Sequence, residues 1–189
     1  MKKEYLILIA IIVFASSYLF LHKENQDNYK LPEIKTIDAA KITGIIIQKS
    51  KETINFTKKN DKWLLSDSDK EFPANSSFVK DMFDAVKTFK LTALVSRKSD
   101  LQKYELDQKK RINVQLSENN KTVFEFTIGK PAPSFNHTFV MIANDKNIYH
   151  ANGSLKSDFD KTLDEFKEKI PETDQKEEAD KKESKNLNK

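Results

Sequence analysis

The chain contains no cysteine. Disulfides, thiolate nucleophiles, thiolate zinc sites and lipid attachment at a mature N-terminal cysteine are therefore excluded. The absence fits an oxidising exterior, where a stray thiol is a liability. Glycine is almost as scarce: Gly44, Gly129 and Gly153 are the only three in 189 residues. No glycine-rich phosphate loop can be built from them, which excludes Walker-type and Rossmann-type sites in their usual form. Histidine is limited to His22, His137 and His150, and tryptophan to Trp63. Charge of one sign is also missing. Lys and Arg number 33 against 29 Asp and Glu, a net charge of +4. The basic residues are scattered among acids, with no dense stripe interleaved with aromatics, so no nucleic-acid partner is expected.

What is present begins with residues 5–21, YLILIAIIVFASSYLFL, which carry no charge. As a helix these residues measure about 26 Å, near the lower limit for a bilayer core. Lys2 and Lys3 lie on one side, and the positive-inside tendency places that side in the cytoplasm. The expected organisation is a cytoplasmic stretch over 1–4, a transmembrane signal-anchor over 5–21 and a polar spacer over 22–32. An extracytoplasmic domain follows over 33–170, then a charged tail over 171–189. A cleaved signal peptide is the competing reading, because Ala15 and Ser17 are small residues two apart. The apolar run continues through Leu21, beyond that point. Both readings export the domain. In the tail the only large apolar residue is Leu187, too little to offset ordering entropy, so disorder is expected there.

Between anchor and tail the pattern is rich in strands. Residues 41–48, 52–58 and 62–66 read as a three-stranded meander, with Asn60 and Asp61 as a turn. Asn75, after Pro73, reads as a helix N-cap. Phe78, Val79, Met82, Phe83, Val86 and Phe89 then form an apolar stripe at helical spacing that faces a sheet. Residues 91–96 read as extended, and Ser99 as the cap of a short helical turn with Leu101 and Tyr104. Strands follow at 111–116 and 122–128 around Asn119 and Asn120, and at 138–143 and 147–150 around Asn144 and Asp145. A final continuous helix is expected with the stripe Leu155, Phe159, Leu163, Phe166 and Ile170. The order argues for an α+β fold, antiparallel sheet with amphipathic helices on one face. Two β-rich units, each closed by a helix, read as a degenerate duplication of a meander-plus-helix unit. Whether the halves share one sheet stays open at this stage.

Chemistry-bearing constellations are sparse. His137 and His150 fall on strands that can be neighbours, but spacing offers no third metal ligand. Asp81, Asp84, Asp158, Asp160, Asp164 and Glu165 read as solvated helix faces, with none in an apolar context that would raise its pKa. Ser76, Ser77 and Ser96 lack a nucleophile-elbow context. No catalytic residue, cofactor or metal is assigned. Trp63 reads as a cover for the core edge, or as a stacking platform for a sugar or peptide. The loop 129–136, GKPAPSFN, is stiffened by two prolines. It displays Phe135 as a partner contact, or plugs it into its own core.

Lys62-Trp63-Leu64, then Phe72-Pro73-Ala74-Asn75 and a helix, then Leu101-x-x-Tyr104-x-Leu106, then Ile128-Gly129-Lys130, form a familiar order. Across roughly residues 34–170 the chain resembles the bacterial family catalogued as domain of unknown function 4340. The resemblance implies an extracytoplasmic domain behind one membrane segment, often encoded beside ABC-type permeases. ABC-type permease subunits are thus the implied partners, beside the membrane itself. The implied location is the bacterial cytoplasmic membrane, single-pass, with an accessory or scaffolding role and no enzymatic activity. An envelope glycan- or lipid-binding domain and an uncharacterised hydrolase are the alternatives. One departure stands out: Glu105 occupies the place of the family's usual glycine, so a backbone position tolerant of positive φ is expected to be lost.

Overall fold

The computed structural model describes residues 3–21, 30–34, 36–67, 70–97, 100–134 and 136–169. The chain divides into two compact units, Met1–Leu31 and Pro32–Lys189. The first is helix α1 (Lys3–Leu21), 19 residues long. Ile7, Leu8, Ile9, Ile11, Ile12, Val13 and Phe14 are all at least 50% exposed. The side chains of Glu4, Leu6 and residues 19–21 lie outside the description. Among the described residues, no helix is long and apolar enough to cross a membrane.

The second unit is α+β. Its elements are β1 (Gly44–Gln48), β2 (Thr53–Lys59), β3 (Lys62–Asp67), β4 (Lys70–Pro73), α2 (Ser76–Lys87) and β5 (Leu91–Ser96). They continue with β6 (Ile112–Glu118), β7 (Lys121–Pro131), β8 (His137–Ile142), β9 (Ile148–Asn152), α3 (Leu155–Phe159) and α4 (Leu163–Phe166). The nine described strands form one antiparallel sheet in the order β4-β3-β2-β1-β6-β7-β8-β9-β5. Two four-strand meanders therefore stand back to back, joined through the first strand of each. The seam pairs Ile46 with Gln115 at its centre. Asn60-Asp61 and Asn119-Asn120 each make a two-residue hairpin turn, with φ of 49° and 62°, and 48° and 64°. Asn and Asp tolerate this left-handed geometry, and its twist matches that of the flanking strands.

Strand alternation then sorts the sheet into two faces. One row runs Leu65, Phe56, Ile45, Leu116, Phe124 across five strands, and the next runs Ile54, Ile47, Val114, Phe126, Ile142. Aromatic side chains from the helices and from the segment after α2 cover this face. Phe166 meets Phe56 edge-on at 5.1 Å, Phe159 meets Phe126 at 5.8 Å, and Phe89 meets Phe126 at 5.1 Å. Asn75 caps α2 as expected, its side chain accepting from the Ser77 backbone N–H at 3.0 Å. Val79, Met82 and Val86 of the expected stripe are buried. The opposite face carries Ser66, Asn55, Ile46, Gln115 and Glu125 in one row and is polar over the meander seam.

Each meander is closed by a segment from the far side of the chain. After α2, β5 pairs with β9 of the second meander. After α4, Lys167 bridges to Ala74 at the end of β4. There the Asn75 N–H donates to the Phe166 carbonyl at 2.8 Å, and the Glu168 N–H to the Pro73 carbonyl at 2.9 Å.

Three expectations are corrected. The C-terminal helix is not continuous. It breaks at residues 160–162, where Lys49 donates to the Lys161 carbonyl at 2.6 Å and pairs with Asp160 at 3.3 Å. Thr162 and Glu165 then form a reciprocal capping box that starts α4 afresh. The strand expected to end at Ile128 runs on to Pro131, with an irregularity in its pairing between Ile128 and Pro131. A fourth strand, β4, precedes α2. Its charges and its proline hid it, and they are what a sheet edge needs to resist pairing with other chains. Ser99, Ile170 and the tail lie outside the described residues.

Candidate functional site

Two of the four motifs that carry the family resemblance meet at one place. Leu101 opens a 3₁₀ turn over Gln102–Tyr104 that lies against β8 and β9 on the sheet face away from the helices. Tyr104, Leu106, Phe139 and Ile148 form one buried cluster, with the Tyr104 and Phe139 rings 4.8 Å apart. Gly129 is buried beneath the turn. A Cβ at Gly129 would sit 2.3 Å from the Tyr104 carbonyl oxygen and 2.9 Å from Leu106 Cγ. Only a residue without a side chain lets the turn approach this closely. The motif around Leu101–Leu106 and the Ile128-Gly129-Lys130 motif are therefore two sides of one packing contact.

The expected loss of a positive-φ position does not occur. Glu105 adopts φ 56°, in the left-handed region. That geometry costs a residue with a Cβ about 1–2 kcal/mol. The side chain compensates by pairing with Lys156 at 3.0 Å and Lys110 at 3.2 Å. Hydrogen bonds from Lys156 and then Lys110 hold the Glu105 carboxyl below the usual range. Lys156 belongs to α3, so the residue in the glycine's place ties the turn to the last meander's helix.

Trp63 sits half-buried on β3, its ring 5.5 Å from Phe83 of α2. It lines an open groove of about 370 Å³ with Asp61, Leu64, Pro73, Ser76 and Glu168. The geometry combines an aromatic surface with carboxylates and a hydroxyl. Phe135, the other expected contact, lies outside the described residues.

His137 and His150 do approach each other, with ring centroids 5.9 Å apart. They are diagonal rather than paired: His150 stands opposite Phe139, and His137 opposite Asn152. His150 Nε2 is buried without a hydrogen-bond partner among the described residues. Burial, and then the neighbouring His137, push the His150 pKa down. Among the described residues no group of three His, Cys, Asp or Glu is placed to hold a metal ion. Asp158 corrects another expectation. Burial between α2 and α3 raises its carboxyl pKa, with Ser157 and Lys161 opposing and Asp81 adding to the rise. The helical register alone did not show that these two helices pack together.

Fold and site together define an α+β packing module whose signature residues hold a turn against a sheet. The chain belongs to the family described as Domain of unknown function (DUF4340), whose profile matches residues 66–181. That stretch includes the turn and Gly129; Lys62-Trp63-Leu64 lies just before it. No curated protein and no solved structure matches the chain.

Proposed function

We propose that the chain is a non-enzymatic, membrane-tethered extracytoplasmic module serving as an accessory or scaffolding subunit of an ABC-type envelope transport complex. The observation that supports the tether is the uncharged apolar run over residues 5–21, whose described large apolar side chains are exposed. Leaving a large apolar side chain in water rather than burying it forgoes roughly 1.5–3 kcal/mol. As a helix, the uncharged residues 5–21 rise about 26 Å, near the lower limit for a hydrocarbon core of about 30 Å. Lys2 and Lys3 orient the domain outward. The class of partner rests on the family resemblance. The scaffolding role is supported by family motifs that serve packing rather than chemistry. The two back-to-back meanders are read as copies of one ancestral unit, each closed by the other's trailing segment.

The test is crosslinking of the tagged full chain in its native membrane, followed by mass spectrometry. Recovery of permease and ATPase subunits supports the reading. Recovery of the chain alone, still membrane-bound, contradicts it. It would favour the second reading, a glycan-binding domain, for which the Trp63 groove is the specific support.

A further inference from the structure

We propose that a second groove, between the segment before β1 and the β6–β7 hairpin, docks an apolar polypeptide segment flanked by Lys or Arg. The inference rests on the scaffolding reading and gives that module its contact surface. The groove measures about 520 Å³ and includes Ile34, Ile37, Ile42, Val123, Phe124 and Ile142 in its lining.

Its apolar wall is built by a defect in the sheet. Between β6 and β7, Leu116 pairs with Phe124 and Ser117 pairs with Thr122, so Val123 is the extra residue of a bulge. A bulge leaves its residue out of the ladder and re-aims the side chain. Val123 is 46% exposed, and among the described residues of the second unit only Ile46 shares that status among large hydrophobics. The facing wall is stitched in place. The Asn119 N–H donates to Thr43 Oγ1 at 2.8 Å, and the Thr43 N–H to the Ser117 carbonyl at 2.9 Å. Asp38 caps the 3₁₀ turn Ala39–Lys41 by accepting from the Ala40 N–H at 3.1 Å. The groove is thus preorganised, which lowers the ordering cost of binding.

Charge selects the occupant. Among the described residues the rim carries three carboxylates, Glu33, Asp38 and Glu118, and one cation, Lys41. Lys41 is itself paired with Asp38 at 3.5 Å. Lys35 lies outside the description. The chain as a whole is +4, so this acidic rim runs against its composition. An acidic rim around an apolar floor repels anionic headgroups and attracts a segment with basic ends.

The test uses the full chain in nanodiscs of zwitterionic lipid, with empty nanodiscs subtracted. The probes are two labelled synthetic peptides with a Leu/Ile core, one with two Lys at each end and a twin with Glu instead. The Lys peptide is expected to bind about tenfold more tightly than its twin. Val123→Ser weakens it several-fold, and Glu118→Lys, which leaves two carboxylates and two cations on the described rim, removes the preference. Because both side chains are at the surface or rim, circular dichroism of each variant checks that the fold is kept. Equal binding of the two peptides, or binding unmoved by both substitutions, overturns the proposal. So does a fluorescent phospholipid that binds in place of either peptide and is lost in Val123→Ser. If crosslinking still recovers transport subunits in those cases, the groove assignment fails while the scaffolding reading stands.

Discussion

Replacing Gly129 with Ala adds one methyl group where none fits. The new Cβ would lie 2.3 Å from the Tyr104 carbonyl oxygen, and that neighbour is backbone, not the end of a flexible side chain. Relief requires lifting the whole turn, whose Tyr104 and Leu106 are buried against Phe139 and Ile148. Overpacking a close-packed site costs about 1–3 kcal/mol, and a backbone clash puts this site at the upper end, about 3 kcal/mol. In a domain of this size 1 kcal/mol shifts the thermal midpoint by about 3 °C, so a fall of about 9 °C is expected. Gly44→Ala is the internal control. Its Cβ would meet Ser117 Oγ at 2.5 Å, but that hydroxyl can rotate away. Its expected loss is below about 1 kcal/mol. The assay is thermal unfolding followed through Trp63 fluorescence. Trp63 lies in the first meander and Gly129 in the second, so the probe also tests whether the nine-stranded sheet melts as one unit. A Gly129→Ala midpoint within about 3 °C of the parent, or equal to that of Gly44→Ala, would refute the reasoning.

Three further substitutions probe the same frame. Glu105→Gln keeps the left-handed backbone but removes both lysine pairs, and should lower stability at pH 7 by about 1 kcal/mol. The Glu105 carboxyl is held low, so its contribution is full above the usual carboxylate range and lost as pH falls below it. The difference between parent and variant in thermal midpoint should therefore shrink as pH falls below the usual carboxylate range. His150→Phe tests the buried imidazole. Its lowered pKa means the unfolded chain binds the proton first, so the parent loses stability as pH drops below about 6.5. The variant should lose less between pH 7.5 and pH 5.5 by chemical denaturation, and an unchanged pH slope would count against the assignment. Asn75→Ala removes the α2 cap and should cost about 1 kcal/mol in urea titrations.

Much of the architecture was legible because its signals are local. Alternation in 111–116 and 122–128 marks β6 and β7, and the stripe from Phe78 to Phe89 marks α2. Asn119-Asn120 announces its hairpin because few residue pairs accept two successive positive φ values. What stayed hidden is non-local. That β1 pairs with β6 depends on contacts about seventy residues apart, which no window of sequence contains. The break in the last helix was written in Thr162-x-x-Glu165, but the continuing stripe of Leu163 and Phe166 masked it. Glu105 was read as a lost glycine because Lys156, its partner on α3, is distant in sequence. Val123 gave no signal at all, because a bulge follows from how two strands register and not from either strand alone.

The central claim is that the domain lies outside the membrane behind an N-terminal tether, and the absence of cysteine makes a clean measurement possible. Lys109→Cys places one thiol on an exposed position outside the lining of both grooves described above. Intact cells are treated with a membrane-impermeant maleimide, and the membrane fraction is then washed at alkaline pH. The account predicts labelling before lysis and retention of the labelled chain in the washed membrane. Labelling only after lysis, or release of the full chain by the wash, would contradict it.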